Sequence, residues 1–285
     1  MNARILMCPP THFEVSYVIN PWMQRGTAHG ELALTQWQRL RTALAAHAEI
    51  VTIEPQPGLP DMVFTANAGV VVGDRAMASH FMPHERRGEE TFFKRWFRER
   101  GFTLVELPDD IGFEGAGDCL QDTRAPFLWT GLGPRTEPEA LAYLGRAFDR
   151  EIVSLRLADP RFYHLDTCFC PLSGGHVLYY PDGFHPTSRS EIERRVPEAL
   201  RIPVAEEDAV RFACNSVNVG IEIFMHAASE GLRAALADAG YRVHPLDLGE
   251  FLKAGGSAKC LTLRLDSPPY ATRESGGAGP VRSAA

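Results

Sequence analysis

The feature that most constrains this chain is a repeat. Polar turn residues recur at Asn67, Glu114, His164, Asn215 and Cys260, about 45 to 50 residues apart. Each sits between strand-like apolar runs. Five helix-period stretches keep the same interval, at 30–47, 89–100, 137–148, 188–200 and 228–239. A strand–turn–strand–helix unit of this size cannot bury its apolar face alone and has to stack on its neighbours. Closed into a ring, five such units bring all five turns to one end of the axis, where a small-molecule site would lie. Evenly spaced elements of an ordinary mixed α/β enzyme would give the same helix pattern. The turn residues favour the ring, because they include a carboxylate, an imidazole and a thiol rather than generic turn formers.

Within the units the apolar spacing is specific. Leu34, Trp37, Leu40 and Leu44 share one face of the first helix, and Phe92, Phe93, Trp96 and Phe97 one side of the second. Leu141, Leu144 and Phe148 are in register on the third. Ser188 and Glu191 fit a capping box opening the fourth. Strands are expected at 4–8, 50–53, 102–107, 127–129, 152–155, 177–180, 202–204 and 241–243, with strand, polar turn and strand in 61–72. The last strand-like run, Gly255 to Leu265, places Cys260 where a small-residue turn becomes an alternating apolar strand. The segment from Tyr17 to Met23 carries too many large side chains for a solvated loop and is expected to pack over something. Residues 1–267 read as a single catalytic domain. Residues 268–285, dominated by Gly, Ser, Pro and Ala, read as a disordered tail.

Composition narrows the function classes. A net charge of -7 and a pI of about 5.8 argue against a nucleic-acid surface and for a small-molecule partner. No apolar run approaches about 18 residues, so no membrane span is expected. The N-terminus enters a strand-like run without an apolar region of signal-peptide length. Cys8, Cys119, Cys168, Cys170, Cys214 and Cys260 form neither a disulfide framework nor two CxxC pairs, which points to a reducing, cytoplasmic location. Cys168 and Cys170, on one side of a strand, are read as core. Dinucleotide, P-loop and serine-hydrolase motifs are absent from the sequence. No cofactor and no metal is inferred, although zinc could bind Cys260 and His164 as an inhibitor. A homo-oligomer is compatible with everything above.

Cys260, His164 and Glu114 together suggest chemistry. A thiol acts as a nucleophile when its pKa is lowered and it stays reachable, and Lys259 with the Gly255-Gly256 turn fits both needs. His164 can serve as acid and base. Asp166, one residue removed in a strand, is expected on the same face as His164. Two carboxylates beside a thiol suit a planar cation such as a guanidinium. Each residue alone also has a bland reading: an inert small hydrophobe, a hydrogen-bonded structural histidine, a turn cap.

Taken in order, Phe113-Glu114-Gly115-Ala116-Gly117-Asp118, His164-Leu165-Asp166-Thr167 and Ser257-Ala258-Lys259-Cys260-Leu261-Thr262 resemble the signature blocks of the guanidine-modifying amidinotransferase superfamily. The resemblance runs from about Arg4 to Leu265. It implies the five-bladed α/β-propeller (pentein) fold, an α/β architecture of pseudo-fivefold ββαβ repeats around a central active site. It also implies a Cys260 nucleophile, His164 as general acid/base, and Glu114 and Asp166 holding the guanidinium. Met7-Cys8-Pro9-Pro10, the segment from Tyr17 to Met23, and Phe64-Thr65-Ala66-Asn67-Ala68-Gly69 resemble the arginine dihydrolase branch. Deiminases and dimethylargininases carry an aspartate at the position of Asn67. The resemblance further suggests that Asn20, Arg86 and Arg135 contact the amino-acid end of the substrate, with a backbone contact from Ala254. Rival readings are a dimethylarginine dimethylaminohydrolase, a citrulline-forming arginine deiminase, and a non-catalytic pentein that binds a partner. A papain-like protease lacks the expected residues around its cysteine.

Overall fold

A computed structural model describes residues 3–267; the tail expected from residue 268 onward lies outside them. Five three-stranded sheets share one plan, an antiparallel pair extended by a parallel strand. β1 (Ala3–Met7) and β2 (Ala48–Thr52) run parallel and are joined by α1 (Gly30–Ala45). A parallel pair needs such a crossover, which is why each unit carries a helix.

In the second unit β3 (Gly69–Val72) pairs antiparallel with β4 (Arg75–Ala78). The chain crosses through α2 (Glu90–Glu99) to β5 (Thr103–Val105), parallel to β4. β6 (Cys119–Gln121), β7 (Phe127–Leu132), α3 (Ala140–Phe148) and β8 (Glu151–Arg156) repeat the plan. So do β9 (Phe169–Pro171), β10 (Val177–Tyr179), α4 (Pro186–Arg195) and β11 (Arg201–Pro203). After the one-turn α5 (Glu206–Ala209) come β12 (Val217–Val219), β13 (Glu222–Met225), α6 (Glu230–Asp238) and β14 (Arg242–Pro245). The one-turn α7 (Gly249–Leu252) precedes β15 (Leu263–Arg264), which pairs antiparallel with β1, so the first and last described strands share a sheet.

The strand after each polar turn is the inner one: β15 lies against β3, and β6 against β9. The result is a five-bladed α/β propeller. Helices fill the outside of the sheets. α2 packs on β4 and β5, while α3 packs on β8 and reaches back to β4 of the preceding blade. Trp37, Leu40 and Leu44 are buried, as are Phe93, Trp96, Phe97, Leu144 and Phe148.

Several local expectations are corrected. Leu34 is 40% exposed, because the buried face of α1 is completed instead by Ala33 and Gln36. α4 starts at Pro186 with His185 as its cap, so Ser188 lies inside the first turn, where its hydroxyl accepts from the Arg156 amide. Pro60–Val63 is a 3-10 helix rather than a strand. Gly255 to Thr262 is mostly turn, and the strand after Cys260 is two residues long. Strands β4, β6, β12 and β13 are additional to the expected ones. Among the described residues no helix is long and apolar enough to cross a membrane.

Candidate active site

The five polar turns meet on the axis because two glycines let them approach. Gly115 has φ 60°, and a Cβ there would fall 2.7 Å from the Gly69 amide nitrogen. A Cβ on Gly117 would fall 2.4 Å from Asn67 Nδ2 and 3.3 Å from His164 Nδ1. Only a bare backbone lets Asn67 and His164 flank this position. The Ala66 amide donates to the Cys260 carbonyl (3.1 Å), tying the first turn to the fifth.

Glu114 is fully buried. Its Oε2 accepts from Arg135 Nη1 and lies 2.8 Å from His164 Nε2, while Oε1 has no partner. His164 Nδ1 is likewise without a partner. Burial opposes the charge of Glu114, but Arg135 and the hydrogen bond from His164 outweigh it and hold its pKa down to about 2. The guanidinium of Arg135 stacks over Tyr163, 4.9 Å from the ring centre, and donates to the Ile19 carbonyl.

Cys260 faces the other carboxylate. Its Sγ lies 3.7 Å from Asp166 Oδ2 and accepts from Asn215 Nδ2 (3.1 Å). Asn215 Oδ1 in turn accepts from the amides of Ser257 and Cys260. Burial and the Asp166 charge push the thiol well above its ordinary pKa, against smaller opposing effects from a backbone hydrogen bond, Asn215 and Lys259. Burial also raises Asp166 to about 7, although Lys259 and hydrogen bonds from Cys260 and Asn215 favour its charge. The thiol is therefore neither activated nor open as the sequence suggests. It is 2% exposed, and Lys259 is turned to the Ala116 carbonyl.

Asp166 is also not on one face with His164. His164 is extended, and Leu165–Thr167 is a 3-10 turn that sends the carboxylate to Cys260 while the imidazole goes to Glu114.

Arg86 is held by protein groups. It makes a bidentate pair with Glu89 and donates to Asn67 Oδ1 (2.8 Å) and the Asp61 carbonyl. Asn20 Nδ2 donates to the Ala254 carbonyl (3.0 Å). The segment from Tyr17 to Met23 packs over the mouth as expected: Ile19 meets Arg135, and Trp22 packs on Phe212 and donates to the Arg161 carbonyl.

Four residues here escaped sequence reasoning as site groups. Asn215 was read only as a turn residue. Asp61, Glu89 and Asp118 stand in the sequence without a site role of their own. Asp118 accepts from the Leu165 amide and Thr136, fixing the turn that carries His164. Asp61 and Glu89 lie beside Arg86, and burial raises both carboxyls, Glu89 to about 7. An available signal was Asp61 itself, a lone acid among Pro60, Met62, Val63 and Phe64.

Buried polar atoms are normally paired, and an unpaired one costs about 1–3 kcal/mol. Here Glu114 Oε1, His164 Nδ1 and Ser257 Oγ lack partners among the described residues. Unpaired polar atoms on the turns that meet near Cys260 are groups that a polar ligand could satisfy.

The family model "N,N dimethylarginine dimethylhydrolase, eukaryotic" matches residues 15–266. The bifunctional arginine dihydrolase/ornithine cyclodeaminase ArgZ of Synechocystis sp. is 54% identical over 94% of this chain. This chain spans only 38% of the length of ArgZ. The N(G),N(G)-dimethylarginine dimethylaminohydrolase of Mycobacterium tuberculosis is 37% identical, over 93% of this chain and 86% of that protein. The isolated N-terminal domain of ArgZ, an arginine dihydrolase from the ornithine–ammonia cycle in cyanobacteria, has been solved with bound substrate. It matches with a TM-score of 0.93 and 51% identity, covering 95% of this chain and 100% of that one. A dimethylarginine dimethylaminohydrolase structure at 21% identity shares the fold, with a TM-score of 0.77. The chain belongs to the N,N dimethylarginine dimethylhydrolase family, within the guanidine-modifying superfamily that its sequence blocks resemble.

Proposed function

We propose that this chain is an arginine dihydrolase, converting free L-arginine and two waters to ornithine, two ammonia and carbon dioxide. The single observation that carries this reading is the pairing of the Cys260–Asp166–Asn215 cluster with the His164–Glu114–Arg135 cluster around an amide, Asn67. The similarity to ArgZ supports the same activity.

Arginine enters as a cation. Its guanidinium supplies the positive charge that the neutral thiol lacks, so substrate binding favours the Cys260 thiolate and the ionised form of Asp166. The thiolate attacks the guanidinium carbon. As the carbon–nitrogen bond breaks, His164 gives its proton to the departing ammonia, leaving on sulfur an amidino carbon that still carries the substrate's ornithine chain. His164 then takes a proton from water, which attacks that carbon; the carbon–sulfur bond breaks and citrulline forms. In the second round the thiolate attacks the ureido carbon and a second ammonia leaves. Water releases the remaining carbamate, which decarboxylates to ornithine. Glu114 and Asp166 flank the cation, and Glu114 with Arg135 also holds the imidazole in place. The buried carboxylate of Asp61 suits the substrate's α-ammonium, and Asn20, Arg86, Arg135 and the Ala254 backbone frame that end of the pocket.

Asn67 decides between one round and two. A carboxylate there would grip guanidinium and repel the neutral ureido group, whereas an amide can donate as well as accept. In this structure Asn67 Oδ1 accepts from Arg86 and Nδ2 faces the Glu114 carbonyl. Residues 1–267 form the catalytic unit in this account, and six unpaired cysteines support a cytoplasmic setting.

The test is to quench the enzyme during arginine turnover and weigh the peptide that carries Cys260. An adduct on Cys260 with the mass of arginine less ammonia, or of citrulline less ammonia, absent from Cys260→Ser, is expected. Turnover without any adduct, or with activity retained by Cys260→Ser, contradicts the reading.

A further inference from the structure

On the seam between the first and fifth blades, three metal-ligating side chains converge. His47 sits in the turn between α1 and β2, Glu222 opens β13, and His244 lies in β14. One ligand atom from each lies within 4.8 Å of the other two. None of them has a part in the chemistry above.

The fold places them there deliberately. In the parallel ladder Glu222 pairs with Arg242 and Phe224 with His244. The two-residue period therefore puts all four side chains on one face of the sheet. The His244 ring stacks on Phe224, with centres 4.8 Å apart and planes 14° apart, which fixes its direction. Arg242 donates to Glu222 Oε1 (2.8 Å), leaving Oε2 turned to His244 Nε2 (2.5 Å). His47 closes the third side, its ring 5.7 Å from Phe224 and 6.1 Å from His244. Glu222 is buried, His244 is half-buried and His47 is exposed, so the cluster opens to solvent on one side.

We propose that His47, Glu222 and His244 form a zinc site that staples the first blade to the fifth. Two imidazole nitrogens and one carboxylate oxygen suit zinc rather than magnesium or calcium, and water from the open side completes a tetrahedron. Zinc–nitrogen bonds of about 2.0–2.1 Å set neighbouring ligand atoms about 3.4 Å apart. The Glu222–His244 contact opens to reach that spacing, and His47, unhindered on the surface, moves in. His244 binds through an unprotonated Nε2, so its proton is released to solvent or moved to Nδ1 as the metal enters. Arg242 on the spare carboxylate oxygen holds Glu222 in place, as outer partners of metal ligands do. Because the ion would span two blades, it would stabilise the closed ring by mass action.

The rival account is a plain ion-pair network of His244, Glu222 and Arg242 with no metal affinity. The full chain bearing Cys260→Ser, with any affinity tag removed, separates the two, since the thiol at the mouth can then hold no metal. Zinc is titrated by calorimetry and cobalt by absorption. One equivalent of zinc is expected at micromolar concentration, with a rise in Tm and the intense visible bands of tetrahedral cobalt. His47→Ala and His244→Ala, each added to Cys260→Ser, should weaken zinc binding about tenfold or more and abolish the cobalt bands and the Tm rise. In the otherwise wild-type enzyme both leave arginine turnover unchanged. No zinc binding at micromolar concentration, or binding indifferent to both substitutions, overturns the site.

Discussion

The helix-facing side of the sheets and the axial mouth are buried to the same degree and are chemically opposite. In the third blade Leu144, Ala147 and Phe148 of α3 pack with Leu128 and Phe113 in a wholly apolar cluster. Next to Phe113 in the chain, Glu114 is just as inaccessible, yet it is charged and one of its oxygens has no partner. Water is excluded from both regions, but the outer one buries mainly apolar surface and leaves isolated indole N–H groups unpaired, at Trp37 and Trp96, while the unpaired atoms at the mouth belong to the titratable side chains Glu114 and His164. Burial of apolar area in the outer layer provides the stability that lets the mouth hold unsatisfied polar atoms ready for a ligand.

If that division is right, substitutions at the mouth should abolish activity with little loss of stability, and substitutions in the outer layer should do the reverse. Cys260→Ser is the extreme case: kcat should drop by about 10⁴-fold or more, with Tm hardly moved. A large loss of Tm would mean that the thiol is also structural. Gly117→Ala comes next. Its methyl group would displace Asn67 or His164, and misplacement on that scale should lower kcat/KM about 10²-fold while the circular dichroism spectrum stays native. Asn67→Asp should keep the first round and shift product toward citrulline, measured by chromatography of the products; unchanged ornithine output would remove Asn67 from the mechanism.

Acidity offers a gentler probe. Asp166 titrates at about 7, and a bound guanidinium favours its ionised form. As pH falls below about 7, arginine must displace a proton, so KM should rise by up to about tenfold per pH unit. A flat KM between pH 5.5 and 7, roughly the window of this titration, would show that Asp166 does not face the cation.

For stability the signs of the two carboxylates oppose. Asp166, raised from 3.8 to about 7, contributes stability below its unfolded value that is lost as pH rises through about 7. Glu114, lowered from 4.5 to about 2, contributes stability present above 4.5 that is lost as pH falls toward 2. The smallest effect on turnover belongs to the outer layer. Leu144→Ala should cost about 2–5 kcal/mol of unfolding free energy by denaturant titration and leave kcat nearly unchanged.

How much of this was legible in the sequence follows from the same division. The five-turn period showed because each unit repeats one helix pattern and one inner strand, and because thiol, imidazole and carboxylate are unusual turn residues. Short elements did not show. β12 and β13 are three and four residues long and turn at Gly220 (φ 60°), too brief for a period to register. The partnership of Asp166 with Cys260 was hidden because His164-Leu165-Asp166 alternates like a strand but coils into a 3-10 turn. Asn215 stood in the repeat with no visible task, since its grip on the sulfur and on two amides exists only once the fourth and fifth turns meet.

Ammonia released per arginine consumed tests the central claim most directly. This account predicts two equivalents, with ornithine as the final amino acid and citrulline only transient. One equivalent with citrulline accumulating, or dimethylamine released from dimethylarginine in preference to ammonia from arginine, would contradict it.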